Sequence, residues 1–335
     1  MKPVIFGCAG PVLSDEERDF FAKEKPAGFI LFKRNTIERN QVAALTADLK
    51  KAVGRHKVPI LIDQEGGRVQ RMNEPEWRRY PPMKVFGDMA LKDPTLAASA
   101  LRLNCRLIAD DLRKVGVNVN CLPLLDVMRD EADPIIGDRA FSKDPNLVTA
   151  LGKITVDALE EGGVLPVIKH LPGHGRASVD SHLELPIVDT PSDELDKTDF
   201  EPFKAFPDAP FGMTAHIVYS DLDPDLPATL SRRVIGRTIR MKMGFKGLLM
   251  TDDLSMKALS GDLGDLAVAS LEAGCDLALH CNGQMAEMRT IAARLTMTEN
   301  GLEKRIADLV RKVERAPMAD RGDLKRRYDE LMAKF

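Results

Sequence analysis

Short apolar runs alternate with longer stretches of helical period along most of this chain. The runs at 4–8, 27–32, 58–63, 117–121, 163–168, 211–216, 247–252 and 276–281 are rich in Val, Ile and Leu and are bounded by glycine, proline or charge. Runs of that length and make-up read as strands buried on both faces. Between them lie amphipathic patterns, among them helices near 38–53 and 93–114, and Ser14-Asp15-Glu16-Glu17 is an acidic N-terminal cap for a first helix. Eight strands alternating with helices predict an α/β fold of the (β/α)8 TIM-barrel type over residues 1–299. In the remainder, 300–335, Leu302, Ile306, Leu309, Val310 and Val313 recur at helical spacing. Pro317 breaks that helix before a last charged one near 321–333. This extension reads as packing on the barrel, without chemistry of its own.

The polar positions place the chemistry. Asp63, Lys169-His170, His216, Asp252-Asp253, and His280 with Asn282 fall at the C-terminal ends of five of the expected strands. Any one of these could be a charged residue opening a loop, but five converging on one rim describe the active face of a barrel. The stretch 169–182, KHLPGHGRASVDSH, carries three of the six histidines. Gly173 and Gly175 mark a loop there, and the segment 171–179 is expected to be mobile and to close over a ligand. Asp180 and His182 would point to the same side of an extended segment. A carboxylate beside an imidazole fixes the ring tautomer and stabilises the imidazolium, which suits a general acid/base.

Composition narrows the classes. The chain has 335 residues, 48 basic and 51 acidic side chains, and a formal net charge of −3. That balance gives no reason to expect nucleic acid or an anionic membrane as partner. No window approaches the ~18 apolar residues of a membrane span, and the apolar start is too short for a signal peptide, so a cytoplasmic monomer is expected. Five scattered cysteines suit buried thiols in a reducing compartment. His170, His174 and His182 with a carboxylate could ligate zinc, but the first strand ends Phe6-Gly7-Cys8-Ala9-Gly10, without the His-x-His of barrel metal hydrolases. Neither a metal nor an organic cofactor is expected. One Trp and three Tyr argue against a long cleft lined by aromatic platforms.

Three motifs, Asp63-Gln64-Glu65-Gly66-Gly67-Arg68-Val69-Gln70-Arg71, Lys169-His170-x-Pro172-Gly173-His174-Gly175 with Asp180-Ser181-His182, and Thr251-Asp252-Asp253-Leu254-Ser255-Met256, occur in this order. Together they resemble glycoside hydrolase family 3, in particular its single-domain bacterial β-N-acetylglucosaminidases of peptidoglycan recycling. The likeness spans roughly residues 3–285. Family members commonly have Phe where Leu171 stands, a conservative departure. The resemblance implies a retaining exo-β-N-acetylglucosaminidase with Asp252 as nucleophile, His182 as acid/base and Asp180 as the partner orienting it. It implies that Asp63, Arg71, Arg139, Lys169 and His170 bind the non-reducing sugar of a peptidoglycan fragment. Larger family members carry a second domain after the barrel; here only the short tail follows, so the acid/base is expected from the barrel's own loops. A phosphorylase would use the same residues with phosphate in place of water, and a sugar-binding barrel without catalysis is the non-enzymatic alternative.

Overall fold

A computed structural model describes residues 1–130, 133–181 and 183–335. Eight parallel strands close a barrel in chain order: β1 (Lys2–Gly7), β2 (Pro26–Leu31), β3 (Ile60–Ile62), β4 (Val119–Asn120), β5 (Leu165–Leu171), β6 (Phe211–Thr214), β7 (Leu248–Asp253) and β8 (Leu277–His280). Each pairs with its neighbours, and β8 returns to β1 with Val4 opposite Ala278. This is the (β/α)8 fold expected from the apolar pattern, with every strand overlapping its expected run.

Period two decides what each strand buries where. Ile5, Leu61, Leu165, Val167, Phe211, Met213, Leu248, Met250, Leu277 and Leu279 fill the barrel interior. Val4, Phe6, Ile60, Ile62, Ile168 and Leu249 point outward into the layer shared with the helices. The first helix, Asp15–Glu24, begins with the expected capping box, in which Ser14 accepts from the Glu17 amide and Glu17 from the Ser14 amide. Glu17 also accepts from the Ala9 amide at 2.8 Å, which fastens the loop after β1. All five cysteines are buried and unpaired.

The tail packs at two places. In the helix Asn300–Glu314, Ile306, Val310 and Val313 join the interior cluster. Leu309 and Asp308 face the start of β7 at Gly247 and Leu248, so this helix lies at the end of the barrel opposite the strand C-termini. The last helix, Arg321–Met332, packs Leu324 and Tyr328 into the outer layer beside Pro94–Lys114. There Arg321 pairs with Asp110 at 2.7 Å and Asp111 at 3.0 Å, and Arg78 lies over the Tyr328 ring. Removing this cover would expose apolar side chains of the barrel floor to water. A chain ended at residue 299 should therefore lose cooperative thermal unfolding, followed by circular dichroism. A transition as sharp as that of the full chain would show the tail to be dispensable.

Candidate active site

Inward positions near the C-terminal ends of the strands change from apolar to polar. Leu61 is followed by Asp63, Val167 by Lys169 and Met250 by Asp252, all continuing the inward parity. Two of these strands are irregular at that level. Between Ile168 and Leu171, β5 has one more residue than β6 opposite it, and between Met250 and Asp253, β7 has one more than β8. Such bulges interrupt alternation and re-aim side chains. Lys169 and His170 accordingly both line the pocket, as do Asp252 and Asp253. Sequence reading places Lys169 and His170 beyond the strand; they lie inside it, because the bulge lets β5 run on to Leu171. The pocket encloses about 250 Å³, small beside the ~300–1,000 Å³ of drug-sized ligand sites. Its base is apolar, with Ile30, Met213, Leu279 and Cys281, and its walls are charged.

The walls are one ionic network. The Lys169 ammonium lies 3.0 Å from Asp63 and 2.7 Å from Glu65. Asp63 pairs with Arg71 at 3.0 Å through its second oxygen, and Arg139 grips Glu65 with two parallel bonds of 2.9 and 2.8 Å. Burial alone would raise the pKa of both carboxyls, but Lys169 with Arg71, and Arg139 with Lys169, hold Asp63 and Glu65 below the usual range. Burial works against the Lys169 charge too, and the two carboxylates more than offset it. Sequence motifs left Glu65 without a role, although it is the residue that carries Arg139. The Asp63-to-Arg71 motif folds as a hairpin, Gln64–Gly66 against Val69–Gln70, turned by Gly66 and Gly67 at φ +104° and +58°. A Cβ on Gly66 would come within 2.2 Å of the Pro81 carbonyl oxygen. Buried Gln64 accepts from the amides of Arg71 and Met72, which aims the Arg71 side chain back at Asp63.

Asp252 stands apart from these pairs. Its Oδ1 accepts from the Asp253 amide at 2.8 Å, and its Oδ2 lies 4.0 Å from His170 Nε2. Burial would raise its pKa, yet His170, His216 and the Asp253 amide keep it below the ordinary carboxylate range, so an anion is available at neutral pH. Asp253 instead turns its carboxylate to the amides of Ser255 and Cys281 and to the Ser255 hydroxyl, a supporting role. His216 is buried between the Thr229 hydroxyl at 2.7 Å and the Asp253 carbonyl at 3.0 Å. His170 Nδ1 faces Asp126 at 2.8 Å; Asp126 was not among the residues that sequence motifs marked. The signal was an acidic residue inside the apolar run 122–127 after β4.

The first part of the loop after β5, expected to be mobile, is hydrogen-bonded to its surroundings: Tyr219 donates to the Gly173 carbonyl, the His174 amide to Asp126, and Arg176 to Asp199 at 2.7 Å. Gly175 passes so close to Val127 that a Cβ would lie 1.9 Å from its carbonyl oxygen. His174 is buried with Nε2 3.2 Å from the Ser181 hydroxyl. The Ser181 carbonyl accepts from the Ala258 amide in the loop after β7, so the loop that begins at β5 is tied to the strand carrying Asp252. The Asp180 carbonyl accepts from the amides of Leu183 and Glu184. His182 lies outside the described residues. Among the described residues no group of three His, Cys, Asp or Glu side chains could hold a metal ion.

These shifts set a pH dependence. Burial depresses the pKa of His174, to about 4, and also those of His216 and His280. Each is neutral when folded and would take up a proton near pH 6.5 when unfolded. Their contribution is therefore complete above about pH 6.5 and is lost as pH falls through the folded values. Asp63, Glu65, Asp126 and Asp252 also have depressed values, so their contribution is complete above about pH 4 and is lost below it. The melting temperature should decline from about pH 6.5 and fall more steeply below about 4. A flat melting temperature between those values would contradict this assignment of the buried histidines.

Comparison with known proteins agrees with this geometry. Residues 8–316 match the family description "Glycosyl hydrolase family 3 N terminal domain". A β-hexosaminidase of Xanthomonas axonopodis pv. citri is 38% identical over 286 residues, 84% of either chain, and one of Xylella fastidiosa is 36% identical over 88% of either. Among solved structures, NagZ from Neisseria gonorrhoeae in complex with N-trifluoroacetyl-D-glucosamine superposes with a TM-score of 0.86 at 30% identity, over 99% of this chain and 97% of that one. With the barrel, the pocket and nearly the full length matched, the chain belongs to glycosyl hydrolase family 3 and is a glycoside hydrolase.

Proposed function

We propose that the chain is a retaining exo-β-N-acetylglucosaminidase of cell-wall recycling. It removes a terminal, non-reducing N-acetylglucosamine from peptidoglycan fragments, such as those ending in 1,6-anhydro-N-acetylmuramic acid, in the cytoplasm. The observation that carries this reading is the Asp252 carboxylate, ionised, outside the ion-pair network, and facing a pocket sized for one sugar ring. The NagZ structure with a bound glucosamine derivative supports the sugar class.

In this mechanism Asp252 attacks the anomeric carbon and forms a glycosyl-enzyme ester, while the leaving oxygen takes a proton. His182, oriented by Asp180, donates that proton and then removes one from the water that hydrolyses the ester. An imidazole serves because its unperturbed pKa, about 6.5, already lies near working pH. Asp63 accepts hydrogen bonds from adjacent sugar hydroxyls, and Lys169, Arg71, Arg139 and His170 complete the polar wall. Lys169 has a third N–H beyond its two carboxylates, and Arg71 has a buried Nε without a partner among the described residues. No metal or organic cofactor enters any step, so activity should survive a chelator.

The two catalytic roles separate by leaving group. Asp252→Ala should abolish cleavage of every substrate. His182→Ala loses proton donation, a contribution of ~10²–10⁴-fold in typical general acid–base catalysis. A nitrophenolate leaves without a proton, so the pre-steady-state burst of nitrophenol should survive His182→Ala while cleavage of the natural disaccharide falls by that factor. Equal slowing of both would make residue 182 a positioning group. Wild-type turnover should yield free N-acetylglucosamine in phosphate buffer; the sugar 1-phosphate as product would mark a phosphorylase instead.

A further inference from the structure

Asp126 follows β4 in the apolar segment Leu122-Pro123-Leu124-Leu125, and its side chain is wholly buried. Its Oδ1 accepts from two backbone amides, those of His170 at 3.1 Å and His174 at 2.7 Å. Its Oδ2 lies 2.8 Å from His170 Nδ1. One carboxylate thus holds the end of β5, the turn into the following loop, and an imidazole that lines the sugar pocket. The other nitrogen of that imidazole, Nε2, is directed at Asp252 Oδ2, 4.0 Å away.

An ionised carboxylate can only accept hydrogen bonds, so the proton between Asp126 and His170 belongs to Nδ1. We infer that Asp126 is a positioning residue for the glycosidase reaction, holding His170 in the Nδ1–H tautomer and so deciding what Nε2 presents to the sugar and to the nucleophile. This rests on the reading of Asp252 as nucleophile. In the neutral ring Nε2 is then an acceptor for a sugar hydroxyl, and in the charged ring it is a donor towards Asp252. The opposite tautomer would put a fixed N–H where the neutral ring now accepts, and would leave Nδ1 facing the buried carboxylate with no proton between them.

A simpler role is possible for any buried carboxylate that accepts two amides, namely holding a turn. Asp126→Asn separates the two. The amide oxygen can still accept from both backbone amides, but the NH₂ must then face Nδ1 and donate to it, which reverses the neutral tautomer of His170. A turn-holding residue would tolerate that exchange.

The test is long-range ¹H–¹⁵N correlation of histidine-labelled protein at a pH where the ring is neutral, with His170 assigned by its absence in His170→Ala. Wild type should show Nδ1 protonated and Nε2 bare, and Asp126→Asn the reverse. With a chromogenic N-acetylglucosaminide, kcat/KM should fall by about 10–100-fold in Asp126→Asn, the range seen when the outer partner of a ligating histidine is lost. In the His170→Ala background the same substitution should cost little more, since both changes act through one ring. A bare Nδ1 in wild type, an unchanged kcat/KM in Asp126→Asn, or full multiplication of the two losses would overturn the inference. The wild-type spectrum decides the tautomer even if the variant fails to fold. It does so also if wild type turns over no N-acetylglucosaminide, an outcome that would sink the proposed substrate and not the tautomer.

Discussion

The structure depends on a buried ammonium. Lys169 is 2% exposed and carries its charge at the mouth of a barrel whose interior is otherwise apolar. An isolated ion in that setting would cost several kcal/mol. It is tolerated because Asp63 and Glu65 stand within 3.0 Å and are themselves balanced by Arg71 and Arg139. Two carboxylates and three cations thus form one connected network. Taking away one partner would strand another charge, so the wall is an all-or-none arrangement. It joins β3, the hairpin after it, β5 and the segment near 139 into one rigid rim.

The chemistry proposed for Asp252 calls for a rigid rim. Most of the charged groups neutralise one another, whereas neither Asp252 nor Asp253 has a Lys or Arg in direct contact among the described residues. The apolar base, with Met213, Leu279 and Cys281, contributes no rival to the nucleophile proposed above. Burial and the nearby carboxylates push the Cys281 thiol far above its ordinary pKa, and a thiol held protonated is a poor nucleophile. Arg139 illustrates how the same residue can serve both structure and site. It is locked onto Glu65 and the Ile135 carbonyl, and it still lines the pocket.

The loop after β5 is held at both ends of its described part, by Asp126, Asp199 and Tyr219 near its start and by Ala258 and His174 at Ser181. Glycine in a loop signals that the backbone can adopt unusual angles or approach closely, and here the second use prevails. Gly175 is glycine because Val127 leaves no room for a side chain.

Much was determined by the sequence alone. Eight apolar runs alternating with helical patterns match the count of a closed parallel barrel, and polar residues at the ends of five of them marked one rim. Local patterns also located the first helix cap and the packing tail, because capping and helical periodicity are set by neighbours in the chain. What only the tertiary structure decided involves pairs distant in sequence. Glu65 meets Arg139 and Lys169 across 74 and 104 positions, and Asp126 meets His170 across 44. Neither pairing has a local signature. The bulges in β5 and β7 were equally hidden, since a one-residue excess is defined only against the neighbouring strand. Those bulges bring His170 and Asp253 into the pocket that Lys169 and Asp252 enter by inward parity, and barrel closure, a property of all eight strands at once, brings their partners within reach.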